Sequence, residues 1–144
     1  MFKFLTELRT KNKIQRRLLA LYVEVDKNLE SCYVMQQRGV LEKFCLDRWQ
    51  DMKGDGDVRL DEKILLCHRM LEEYNQDMSD FKEFEQWYAA DLSNKTPENA
   101  RALHAKKELI SQKFKGLLAV VKPAQEVLKA ELIAQRIYKD KRCR

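Results

Sequence analysis

The chain has 144 residues and carries a net charge of +5; that length is enough for one domain with its own core. It is 35% charged and 44% apolar, a mixture that suits helices with one wet face, and no stretch reaches the roughly 18 apolar residues of a membrane span. Four Gly and two Pro are its only strong turn formers, which excludes a turn-rich β architecture and leaves few loops to carry catalysis.

Charge is unevenly spread. Residues 1–17 carry +5, 18–50 carry −1, 51–92 carry −7 and 93–144 carry +8. An acidic middle between basic ends predicts a middle helix packed beside the terminal ones, with opposite charges facing across the seams.

In chain order, residues 1–11 form a basic amphipathic segment in which Phe2, Leu5 and Leu8 stand close to Arg9 and Lys11. Those apolar residues either cap an open end of a bundle or dip into an anionic membrane surface. Ile14, Leu18, Leu21, Val25, Cys32 and Met35 then recur at helical spacing, with Asn28 as a polar residue on the seam that can fix register. The pattern continues through Leu41, Phe44, Cys45 and Trp49, so 12–52 reads as one helix or as two. Arg38 followed by Gly39 and an apolar residue favours a break or kink there.

A second helix is predicted over 60–92, with Leu60, Ile64, Cys67, Leu71, Tyr74, Met78, Phe81, Tyr88 and Leu92 on its seam and Phe84 and Trp87 beside it. The segment Ser93 to Pro97 is the clearest boundary. Thr96 is placed to cap a helix and Pro97 to occupy its first position. The last helix, 97–140, buries Leu103, Ile110, Phe114, Leu117, Val121, Ala124, Leu128 and Tyr138, with a kink expected near Pro123. The expected architecture is a single all-α domain, an antiparallel bundle of three or four long helices with coiled-coil-like packing.

Residues 51–62 carry the sharpest local signal. Asp51, Asp55 and Glu62 stand at positions one, five and twelve, Gly56 at six and Val58 at eight, and Asp57 offers a backbone carbonyl at seven. This segment resembles the calcium loop of the EF-hand family, and the resemblance implies a calcium site on Asp51, Asp55, Asp57 and Glu62. Lys53 departs from it by placing an ammonium at the third ligand position. The likeness covers twelve residues.

Other chemistry is sparse. His68 with Glu72, and His104 with Glu108, are helix neighbours that either share a cation or bond to each other on the surface. Neither histidine follows a glutamate by three, as di-iron bundle sites require, and no phosphate loop, zincin motif or nucleophile elbow occurs. Cys32, Cys45, Cys67 and Cys143 form no C-x-x-C pair, and reduced thiols in a cytoplasmic protein are expected. No catalytic residue or bound cofactor other than calcium is inferred.

Lys115, Lys122, Lys129 and Arg136 repeat every seven residues along one face of the last helix, with Lys106 and Lys113 on a neighbouring face. Such a row fits an anionic polymer, or else pairs with acids of the 60–92 helix. The leading functional expectation is a non-enzymatic interaction or structural module that binds a protein partner or a second copy of itself. A calcium-responsive bundle and a peripheral binder of anionic lipid or nucleic acid are the alternatives.

Overall fold

The structure is a computed structural model that describes residues 2–54 and 58–135; of the first ten side chains it describes Leu5 and Arg9. Among the described residues there are four α-helices: α1 (Phe2–Arg38), α2 (Asp47–Lys53), α3 (Glu62–Ala90) and α4 (Pro97–Ala134), with a short 3-10 turn at Leu92–Asn94. The fold is an all-α bundle.

Several boundaries differ from expectation. Residues 2–11 are the first turns of α1 rather than a separate segment. The predicted 12–52 helix ends at Arg38, as the glycine suggested. Gly39 has φ of 69°, and its N–H bonds to the Met35 carbonyl at 2.8 Å, the left-handed cap that glycine adopts without steric cost. A Cβ at Gly39 would meet nothing within 4 Å, so its backbone conformation, not crowding, is the reason for glycine here. The predicted 60–92 helix is shorter at both ends. Asp61 caps α3 through a 2.8 Å bond from the Lys63 N–H, and Leu92 lies in the 3-10 turn.

Thr96 and Pro97 act as their sequence suggests. The Thr96 hydroxyl accepts the Asn99 N–H at 3.1 Å, and Pro97 opens α4. Helix α4 continues through Pro123 to Ala134. The proline leaves the Ala119 carbonyl without its usual donor, and Ala119 is exposed, so water can replace that bond. Tyr138 and Arg136 lie outside the described residues.

The contacts define the packing direction. Met70 lies against Gly116, Asp77 pairs with Lys113, and Lys106 sits over Phe84, so α3 and α4 are antiparallel. Asp26 accepts a 3.0 Å bond from Gln125, while Met35 shares a cavity with Ile110, so α1 and α4 are antiparallel too. Helices α1 and α3 therefore point the same way. Two parallel neighbours need a long return connection, and residues 39–61 supply it.

The core sits among all three long helices. It contains Leu18, Leu21 and Val25 of α1, Ile64, Cys67, Leu71 and Tyr74 of α3, and Leu117, Val121, Leu128 and Leu132 of α4, all essentially without exposure. Each such side chain contributes about 1.5–3 kcal/mol of burial. The predicted seam is only partly buried at the upper end. Helix α1 stops at Arg38, so beyond Phe81 and Ile110 the α3–α4 hairpin continues with no third helix beside it among the described residues. Phe84, Tyr88 and Leu103 are half-buried there, and Leu92 is 83% exposed.

Candidate functional site

Two regions concentrate unusual side chains: the return strap, described over 39–54 and 58–61, and the open end of the bundle.

The strap is held to α1 and α3 by side chains that bond its backbone. Asn75 of α3 donates to the Phe44 carbonyl and accepts the Phe44 N–H, both at 2.9 Å. The Tyr74 hydroxyl donates to the Glu42 carbonyl at 3.0 Å, and Asn28 Nδ2 donates to the Cys45 carbonyl at 2.9 Å. Asn28 thus fixes the strap, where sequence alone suggested a role in helix register. Glu24, a buried carboxylate on α1, accepts the N–H groups of Arg48 at 2.7 Å and Trp49 at 3.1 Å. Those are the orphan donors of the first turn of α2, whose own cap residue, Leu46, has no side-chain acceptor. A carboxylate from another helix therefore caps α2, and its negative charge meets the positive end of the helix.

Trp49 closes the strap onto α3. Its ring stacks on His68 at 4.2 Å between centroids, and its indole N–H donates to Glu72, which also pairs with Lys53 at 3.5 Å. His68 is completely buried, and its Nδ1 bonds the Ile64 carbonyl at 2.8 Å. Nδ1 must donate to that carbonyl, which leaves Nε2 as a bare acceptor with no partner among the described residues. Burial lowers the His68 pKa from its usual 6.5 and outweighs the opposing bond to Ile64 and the nearby Glu72 charge, so the ring is held neutral. His68 and Glu72 bond to different partners, Ile64 and Trp49, rather than to each other.

The buried thiols are held protonated by the same physics. Desolvation raises Cys32 to about 11 and Cys67 to about 12, the latter helped by Cys32.

The open end presents a groove. Where α1 leaves the bundle, a cavity of about 620 Å³ opens between the upper parts of α3 and α4. Its walls are Cys32, Met35, Met78, Phe81, Ile110 and Phe114, and Val40 of the strap stands at its mouth with 57% exposure. Lys82, Glu85 and Lys107 form a rim of mixed charge. All three are exposed, and none has an ion-pair partner among the described residues. Above the groove the hairpin carries Trp87, 46% exposed and 5.4 Å from Phe84, and ends in Leu92.

The EF-hand-like segment is divided between elements. Asp51 lies on α2, exposed, and pairs with Arg48 at 3.3 Å. Glu62 is the first residue of α3, behind the capping Asp61. Asp55 and Asp57 lie outside the described residues. Among the described residues no three His, Cys, Asp or Glu side chains gather around a common point suited to a metal ion. His104 is exposed on α4.

The lysines of α4 separate into two sets. Lys113 pairs with Asp77, and Lys106 lies 5.4 Å from the centre of the Phe84 ring, so the neighbouring face is the one engaged with α3. Lys115, Lys122 and Lys129 are exposed and have no carboxylate partner among the described residues; Arg136 lies outside them.

Sequence reasoning missed Glu24, Trp49 and Asn75 as structural keys and Met78 with Phe81 as groove walls. Glu24 did carry a signal: it is a charge set into an apolar stripe between Leu21 and Val25. No protein-family model, no curated protein and no solved structure matches this chain. Among the described residues, no helix is long and apolar enough to cross a membrane.

Proposed function

We propose that this protein is a non-enzymatic interaction module that receives an apolar segment of a protein partner in the groove at the open end of its bundle. The observation that supports this reading is the groove itself. A cavity walled by Met35, Met78, Phe81, Ile110 and Phe114 is the geometry by which helix bundles accept apolar anchors. Methionines adapt their shape to what they bind, and the two here suit that use. The rim charges lie where they select orientation without entering the apolar floor.

The test uses 1-anilinonaphthalene-8-sulfonate as an apolar probe on dilute protein. Its fluorescence should rise on binding. Ser111→Trp, which fills the groove from α4, should reduce that rise several-fold while the thermal midpoint stays near that of the parent. Absence of a rise, or a rise indifferent to Ser111→Trp, removes the groove from the account.

A second reading is favoured by Lys115, Lys122 and Lys129, which are exposed, have no ion-pair partner among the described residues and suit an anionic lipid surface or nucleic acid. Binding to phosphatidylserine vesicles or to single-stranded RNA should then fall steeply with salt, and charge reversal of these three lysines should abolish it.

A further inference from the structure

We infer that the occupant of the groove is the tip of a second copy of this chain, so that two hairpins pair antiparallel about a two-fold axis. The inference rests on the docking reading above and names its partner. The hairpin carries both halves of a self-complementary contact. The groove is centred near Phe81 and Ile110, and Leu92 at the tip is the most exposed large apolar side chain described, at 83%. Helix α3 runs about 13 Å along its axis from Phe81 to its end at Ala90, and Leu92 lies beyond it in the 3-10 turn. A rigid helix cannot bend its own tip back into its own groove. A two-fold axis across the hairpin brings each tip to the other copy's groove, and the contact forms twice.

Charge supports the same partner. The chain as a whole is +5, so two copies repel at long range. Residues 81–109 contain five basic and five acidic side chains, so the tips meet without net repulsion. Signs also match locally. The rim offers Glu85 with Lys82 and Lys107, and the tip offers Lys95 with Asp91. In the antiparallel pair Glu85 meets Lys95 of the second copy, and one of the two rim lysines meets its Asp91. The overlap is short, so the dimer is weak and belongs with small transient interfaces.

Sedimentation equilibrium of the full chain over a concentration series tests this. The expected mass rises from 17.2 kDa toward twice that value. Leu92→Asp and Val40→Lys, both at exposed positions away from the core, should each remain monomeric at concentrations where the parent dimerises. An equimolar mixture of the two variants should dimerise again, because one contact is then native and the other pairs the new aspartate with the new lysine. A strict monomer at every concentration overturns the inference, as does a dimer unaffected by Leu92→Asp, or a mixture that stays monomeric. The two readings fail separately. A monomer whose groove still binds the fluorescent probe loses only the second copy, whereas a monomer that binds no probe loses both.

Discussion

The lower and upper halves of this bundle use aromatic residues in opposite ways. Below, Trp49 is 5% exposed, stacked on His68, bonded to Glu72 and fastened from behind by Glu24. Above, Trp87 is 46% exposed on the α3–α4 hairpin, beyond the end of α1. The same residue type, on the same kind of element, closes the fold in one place and stays available in the other. The difference lies in where α1 stops: three helices and a strap bury their seams, and two helices leave theirs open.

Trp49→Ala set against Trp87→Ala breaks the comparison most directly. Removing Trp49 creates a cavity and takes one hydrogen-bond donor from Glu72, for an expected loss of about 3–5 kcal/mol in urea unfolding. Removing Trp87 should change stability by no more than about 0.5 kcal/mol, the range of surface substitutions. Equal losses would mean that the hairpin is as closed as the strap.

A smaller effect separates the strap's polar clamps from its apolar plug. Glu24→Ala leaves the Arg48 and Trp49 N–H groups without their acceptor, at about 1–3 kcal/mol for each that stays dry. Glu24→Gln keeps one acceptor oxygen and should recover part of the loss. If Gln performs no better than Ala, the negative charge at the start of α2, rather than the hydrogen bonds, is what matters. Hydrogen exchange at Arg48 and Trp49 reports the outcome directly.

The smallest expected effect is a pH dependence confined to the lower half. His68 is neutral when folded, with its pKa below the usual 6.5. As pH falls below 6.5 the unfolded chain takes up this proton first, so the His68 contribution is fully present above 6.5 and declines toward the lowered folded value. Glu131 works in the opposite sense. Burial, with Asp61 nearby, raises it above 4.5, so its contribution is present at low pH and fades as pH rises through the raised value. His68→Phe should flatten the decline below 6.5 and leave the Glu131 window unchanged in a denaturant series. A decline that survives His68→Phe assigns it to another group.

Much of the fold is legible from one dimension. The apolar stripe from Leu18 to Met35, the stripe from Ile64 to Met78, the glycine stop at position 39 and the Thr96–Pro97 start are all local patterns, and each forms as read. The upper half is not legible in the same way. The stripes of α3 and α4 continue without change past Phe81 and Ile110, and periodicity alone predicts burial for Tyr88, Leu92 and Leu103. Whether a stripe is covered depends on the length of a third helix elsewhere in the chain. The clamps were equally hidden: Glu24 and the α2 amides stand 24 and 25 residues apart, and Asn75 reaches Phe44 across 31.

The sequence by itself determined that this protein is helical, where α1 stops and α4 starts, and which face of each long helix is apolar. Those properties follow from interactions within a few residues: backbone bonds, caps and side-chain spacing. Only the tertiary structure decided that α1 and α3 run parallel, that a strap bound by Glu24, Asn28 and Asn75 joins them, and that a groove remains open above α1. These depend on which surfaces meet and which find no partner, and that is set by packing among segments far apart in the chain.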